Sequence, residues 1–313
     1  MNFADRLLDE IDKKQNPCCI GLDPTIGNIP QSIKNKYGNT KQDVAKIFLE
    51  FNKGIIDKTF DLVPAYKPQM AFYEKYKSFG VEAFEKTVDY IKEKGCIEIE
   101  DAKRNDILTT SEAYSSGHIG VVELPDGSTE PSFDVDAITV NGYLGSDCIN
   151  PFEKDCKKFG KGIFVLVKTS NDSSGEIQNL KTDLNGNVFS NMAMLVDKWG
   201  QDVIGSSGYS SVGAVVGATY PEEAVVCRRI MPNSIILVPG YGAQGGGGKD
   251  TLPNFNKDGQ GAIVNNSRGI IFSYKKSKKH NEHTFGEAAR EATENMREDI
   301  ITALKNEGIS RWK

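Results

Sequence analysis

Short apolar runs rich in Val and Ile recur along the chain and alternate with longer stretches in which apolar residues return every three or four positions. Runs of about four to eight such residues read as strands buried on both faces, whereas the longer period marks a helix with one face on a core. Eight runs qualify: CCIGLD from Cys18, LVPAYK from Leu62, CIEIEDAK from Cys96, AITV from Ala137, GIFVLVKT from Gly162, GAVVGA from Gly213, SIILVPG from Ser234 and GAIVNN from Gly261. Between them, DVAKIFLEFNKGIIDKTF aligns Val44, Ile47, Phe48, Phe51 and Ile55 as one stripe, and GVEAFEKTVDYIKEKG closes at Gly95, a helix stop signal. PEEAVVCRRI begins with Pro221 in its first turn and sets acids beside it. MNFADRLLDEIDKKQ spaces Phe3, Leu7, Leu8 and Ile11 for an N-terminal helix, while Ala288, Ala292, Met296, Ile300 and Leu304 recur every four residues in a last helix from about Gly286.

Strands alternating with helices build a parallel sheet, and eight of them close a (β/α)8 barrel. The open doubly wound sheet is the competing architecture, but CIGLDP after the first strand carries no G-x-G-x-x-G. We therefore expect one α/β domain over residues 1–313, a parallel eight-stranded TIM barrel with N- and C-terminal helices. Insertions are expected near 121–133 and 172–187, with Asp126-Gly127 and Asn185-Gly186 as hairpin turns.

Composition narrows the function. Lys plus Arg number 38 against 43 Asp plus Glu, so a net charge of −5 offers no long-range attraction to nucleic acid or an anionic membrane. No apolar run approaches the ~20 residues that span a bilayer, and the N-terminus lacks the apolar centre of a signal peptide, so a soluble cytoplasmic chain is expected. The cysteines, Cys18, Cys19, Cys96, Cys148, Cys156 and Cys227, include no C-x-x-C pair and read as reduced, mostly buried thiols. His118, His280 and His283 show no metal-ligand spacing, and the last two fall in KKSKKHNEH, which reads as a solvated surface. A zinc enzyme is disfavoured on these grounds, and no metal site is expected.

Catalytic side chains of such barrels sit at the C-terminal ends of strands. Here those ends carry Asp23, Lys67, Asp101 and Lys103, with Asp106 in the loop beyond and Arg268 after the last strand. Asp101 and Lys103 share a strand face about 6 to 7 Å apart at Cα. On a surface loop D-x-K-x-x-D would be a solvated charge cluster; at a strand end beside a second lysine it becomes a candidate site. Mixed charges at close range hold one another ionised. Such an array stabilises negative charge developing on a substrate, and a protonated lysine within it can hand a proton to a carbanion.

VPGYGAQGGGGK follows strand seven and NNSRG follows strand eight, the two places where barrels commonly hold a phosphate. Glycine amides, Arg268 and Gln244 supply donors, and Tyr241 to Gln260 is long enough for a lid. Ser170, in VLVKTSN, is placed to hydrogen-bond a polar ring, although strand-end serines also cap turns.

Taken together, CIGLDP, AYKPQMAFYE, EDAKRNDI, VNGYLGSD, VLVKTSN, VVGAT, VPGYGAQGG and NNSRGI, from Cys18 to Ile271, resemble in order and spacing the orotidine 5′-monophosphate decarboxylase family. The likeness is closest to its longer subgroup in bacteria and malaria parasites. The resemblance implies a homodimeric barrel, without metal or organic cofactor, that converts orotidine 5′-monophosphate to uridine 5′-monophosphate and carbon dioxide. It implies that Lys67, Asp101 and Lys103 act in one subunit while Asp106, Ile107 and Thr110 come from the other. By the same likeness Lys103 protonates C6, Asp23 binds ribose, Ser170 reads the pyrimidine, Pro239 adds a substrate contact, and Gln244, Arg268 and the Gly269 backbone hold phosphate. A metal-dependent sugar-phosphate barrel enzyme and a nucleotide-binding barrel without activity are the alternatives.

The chain departs from the family pattern in places. Asn105 and Leu108 occupy positions where D-x-K-x-x-D-I-G has small residues, and Gly142 replaces a usual proline. Glu98 and Glu100 stand where strand three is usually apolar, and alternation points both at the helices. We expect each to find a basic partner or an edge of solvent, because an unpaired buried acid is costly.

Overall fold

A computed structural model describes residues 1–183, 186–242 and 246–312 of the chain. Its main strands are β1 (Cys18–Leu22), β2 (Ala65–Pro68), β3 (Ile97–Arg104), β4 (Ala137–Val140), β5 (Gly162–Lys168), β6 (Ser210–Val216), β7 (Ser234–Val238) and β8 (Ala262–Asn266). Each pairs in parallel with its neighbours, and β8 returns to β1, closing the expected barrel. Every residue of β1, β6, β7 and β8 is buried, which is why these strands read as unbroken apolar runs. The runs from Leu62 and Gly213 mark β2 and β6 with starts displaced by three residues, to Ala65 and Ser210.

The larger helices are α1 (Phe3–Lys14), α2 (Lys41–Thr59), α3 (Lys77–Glu93), α4 (Leu108–His118), α5 (Ser146–Phe159), α6 (Val188–Gly200), α7 (Pro221–Ile230) and α8 (Phe285–Asn306). Thr40 and Asp43 cap the start of α2 reciprocally, and its stripe of Ile47, Phe48, Phe51 and Ile55 is buried. Burial of side chains this size contributes roughly 1.5–3 kcal/mol each. The α4 sequence LTTSEAYSSGH has no strong apolar stripe; instead Ser111 Oγ donates to Cys148 O at 2.8 Å and Ser115 Oγ to Asp155 Oδ2 at 2.6 Å, both on α5. At the N-terminal end of the barrel, α1 packs Phe3 edge-on against Phe164 of β5, and Arg6 pairs with Asp136 at 2.8 Å. Helix α1 thus covers part of that end, opposite the mouth where the strands' C-terminal ends gather.

The segments read as insertions each carry a small antiparallel ribbon, Val122–Glu123 with Thr129–Glu130 and Lys181–Thr182 with Gly186–Asn187. Asn185, half of the second turn signal, lies outside the described residues. All the cysteines are free and buried. Among the described residues, no helix is long and apolar enough to cross a membrane.

Two expectations are corrected. His280 is not simply solvated: its ring is 12% exposed and Nε2 lies 2.6 Å from Glu291, whereas His283 does face solvent. On β3, Glu100 finds His118 Nδ1 at 2.6 Å, but Glu98 is fully buried and among the described residues neither of its carboxyl oxygens has a hydrogen-bond partner. The nearby cations are already committed, Lys92 and Lys161 to Asp134 and Arg6 to Asp136. Burial, with the charges of Glu100 and Asp136, pushes the Glu98 carboxyl well above the carboxylate range, so it is held as the neutral acid.

Candidate active site

Register places the charged residues level at the C-terminal mouth. Gly21 of β1 lies opposite Lys67 of β2, and Gln69 forms a bridge to Asp101 of β3. Asp101 is the hub: Lys67 Nζ donates to its Oδ2 at 2.6 Å and Lys103 Nζ to its Oδ1 at 2.5 Å. Lys67 is buried, while the Lys103 side chain is 44% exposed.

Simple alternation does not account for the pairing of Asp101 with Lys103, because the register of β3 against β4 shifts between Glu100 and Arg104. Lys103 there takes φ 52, a left-handed conformation that costs a non-glycine residue about 1–2 kcal/mol. Thr139 of β4 holds the bulge. Its Oγ1 accepts from Ala102 N at 3.1 Å and Lys103 N at 3.0 Å, and its hydroxyl donates to Asp101 Oδ1 at 2.9 Å. Thr139 was hidden in the sequence as one β-branched residue of a strand.

The electrostatics follow from burial against neighbours. Burial alone would raise the Asp101 carboxyl, but Lys67 and Lys103 outweigh it and hold it well below the usual range. Burial alone would lower the Lys67 ammonium, but Asp101 and Asp23 outweigh it and keep it protonated. Asp23 moves the other way, raised chiefly by burial, and its Oδ1 has no hydrogen-bond partner among the described residues.

Two cavities adjoin this hub and share Lys67, Asp101, Ser170 and Pro239 as walls. One, about 370 Å³, adds Lys103 and Thr139 over a floor of Leu166, Val215 and Leu237. The other, about 190 Å³, reaches Asp23, Tyr241, Asn265, Asn266, Ser267 and Arg268. Thus the polar lobe and the partly apolar lobe meet at the charged residues. The β8 loop closes onto β1 because residue 21 is glycine; a Cβ there would lie 1.8 Å from Ser267 Oγ. A larger hollow of about 740 Å³ around Tyr209, Arg228 and Pro232 lies by the opposite ends of β6 and β7, away from these charges.

Of the residues singled out from sequence, Asp23, Lys67, Asp101, Lys103, Ser170, Pro239 and Arg268 line one or both cavities. Gly269 N donates to Asn266 Oδ1 at 3.2 Å. Gln244 lies outside the described residues. Asp106 is half-buried, with Oδ1 accepting from Ile107 N at 2.7 Å, and it lines neither cavity of its own chain. Ile107 and Thr110 are exposed. The twenty-residue lid is corrected: beyond Gly246 the chain packs down, burying Thr251 and Asn254, with Gly248 N bonded to Asp299 Oδ2 at 2.7 Å. Asn265, Asn266 and Ser267 sat within a string valued for its arginine, and went unassigned. Among the described residues no group of His, Cys, Asp and Glu is arranged to hold a metal ion.

Charge of both signs gathered at the C-terminal mouth of a parallel eight-stranded barrel is the arrangement of a TIM-barrel enzyme. The family model for the orotidine 5′-phosphate decarboxylase / HUMPS family matches residues 17–282, and the chain belongs to that family as a carboxy-lyase. The orotidine 5′-phosphate decarboxylase of Petrotoga mobilis is 43% identical over 95% of this chain and 98% of its own. That of Caldicellulosiruptor bescii is 42% identical over 97% and 99%. The crystal structure of Plasmodium berghei orotidine 5′-monophosphate decarboxylase shares the fold, with a TM-score of 0.77 at 22% identity, covering 97% of this chain and 99% of that one.

Proposed function

We propose that the chain decarboxylates orotidine 5′-monophosphate to uridine 5′-monophosphate, the last step of de novo pyrimidine nucleotide synthesis, as a cytoplasmic homodimer. The observation that carries this reading is the Lys67–Asp101–Lys103 chain, buried at Lys67 and Asp101 and open at Lys103, at the junction of two cavities. When the bond from C6 to the carboxylate breaks, carbon dioxide departs without the electron pair, which stays localised on C6. Preorganised ammonium groups stabilise that charge as it develops. Lys103, the more exposed lysine, then gives its proton to C6 and regains one from water. Asp101 lies beside the departing carboxylate and keeps both lysines oriented.

In this reading Asp23, its Oδ1 without a partner, takes a ribose hydroxyl, and Ser170 and Pro239 contact the base. Arg268 and Gln244 grip the phosphate together with the Gly269 amide, which leaves Asn266 to do so. Asp106, Ile107 and Thr110 complete the site of a second copy. The pronounced exposure of Ile107, at 47%, and Leu108, at 64%, supports their burial against such a partner.

The test is turnover. Purified protein in EDTA receives orotidine 5′-monophosphate, and loss of the orotate absorbance is followed alongside release of carbon dioxide. Equal loss and release, undiminished by EDTA, is the expected result. A requirement for divalent metal, or tight binding without turnover, contradicts the proposal.

A further inference from the structure

Lys168 ends β5 and is fully buried, yet among the described residues it pairs with no carboxylate. Its Nζ donates to Ser174 Oγ at 3.1 Å and Asn179 Oδ1 at 3.0 Å, and stands 4.1 Å from the centre of the Tyr220 ring. Ser174 and Asn179 belong to the insertion after β5 and Tyr220 to the loop after β6, so one ammonium joins three segments of chain. Oxygen acceptors and a π face replace the water it has lost. Apolar packing would join the same segments with less desolvation, so the charge points to a role beyond cohesion.

Those segments converge on Ser170. From the insertion, Gln178 Oε1 accepts from Thr169 N at 3.0 Å and Gln178 Nε2 donates to Thr169 Oγ1 at 2.7 Å. From the other side, Thr219 Oγ1 donates to Ser170 O at 3.3 Å and Tyr220 OH to Asn171 O at 3.1 Å. The fit is close: a Cβ on Gly217 would lie 2.8 Å from Ser170 Cβ. Ser170 itself lines both cavities.

We propose that Lys168 is a positioning residue for recognition of the pyrimidine, its ammonium locking the insertion and Tyr220 around Ser170. This rests on the reading of Ser170 as a contact of the base. The insertion thereby acquires a function, as the outer half of a brace whose inner half is the β6 loop.

Two inhibitors separate base recognition from the rest of the site: uridine 5′-monophosphate, and ribose 5-phosphate, which has no base. Lys168→Met should weaken inhibition by the nucleotide and raise KM about tenfold, while kcat falls less and inhibition by ribose 5-phosphate is unchanged. Asn179→Ala alters an exposed residue and leaves the lysine in place; it should shift the nucleotide in the same direction by about two- to fivefold. Lys168→Met combined with Ser170→Ala should bind the nucleotide no more than about twofold worse than Ser170→Ala alone, because the two act as a unit. Weakening of both inhibitors together, or effects that multiply in the double variant, overturns the proposal. Unchanged nucleotide affinity in Ser170→Ala overturns the reading beneath it. A weakened Ser170→Ala beside unchanged Lys168→Met and Asn179→Ala overturns the Lys168 proposal alone.

Discussion

Replacing Glu98 with Gln should remove one pH-dependent contribution to stability. The folded chain holds Glu98 as a neutral acid, fully buried beside Glu100 and Asp136, whereas the unfolded chain exposes an ordinary carboxyl. Below the unfolded value of about 4.3 both states keep the proton, and ionisation costs nothing. As pH rises past it, the unfolded chain releases its proton while the folded chain does not, so stability falls by about 1.36 kcal/mol per pH unit until the raised folded value is reached. Each unit within that interval therefore removes roughly 1 kcal/mol. At roughly 2.1 cal/mol/K of unfolding entropy per residue, the chain of 313 residues has about 0.66 kcal/mol/K, so each such unit corresponds to about 2 °C in Tm. Gln has nearly the same shape and no charge to lose, so only a constant offset separates it from the neutral acid. Thermal unfolding followed by circular dichroism at a series of pH values above about 5 should show the Glu98→Gln protein gaining on wild type as pH rises, by about 2 °C per unit while the folded Glu98 keeps its proton. A difference that stays constant, or moves toward wild type as pH rises, would refute the assignment of Glu98 as a buried neutral acid.

Thr139→Val removes the hydroxyl that bonds Asp101 and accepts the Ala102 and Lys103 amides; at about 1–3 kcal/mol for such a loss, steady-state kinetics should show kcat reduced roughly ten- to hundredfold. Arg268→Ala should raise KM by at least about tenfold and weaken activation of the phosphate-free nucleoside by added inorganic phosphite, while turnover of that nucleoside without phosphite matches wild type, because Arg268 acts through the phosphate. Mixing Lys103→Ala with Asp106→Ala protein under subunit exchange should restore about a quarter of wild-type activity, since half the dimers are hybrid and each has one intact site; no recovery despite exchange contradicts the shared site.

The barrel was legible because its strands are buried on both faces, so β1, β7 and β8 announce themselves as apolar runs between turn signals. Lys67, Asp101 and Lys103 were legible for the opposite reason, as charges ending such runs. Helix α4 was not, since buried serine hydroxyls rather than an apolar stripe tie it to α5. Thr139 and Lys168 were missed because their roles arise from neighbours far along the chain: a bulge on β3 in one case, an insertion and the β6 loop in the other. Glu98 misled because local alternation gave its direction correctly while nothing local revealed that the cations nearby were already paired. Leu108 adopts φ 49 where the family pattern has glycine, a conformation the side chain alone would not predict.

The most direct test of the charge-array mechanism is single-turnover decay of the orotate chromophore with Lys103→Ala protein saturated in orotidine 5′-monophosphate. Loss of the ammonium that meets the C6 electron pair should slow the step by about 10⁴-fold or more, equivalent to roughly 5.4 kcal/mol, with nucleotide affinity changed much less. A rate within about tenfold of wild type would mean that the proton and the charge stabilisation come from elsewhere.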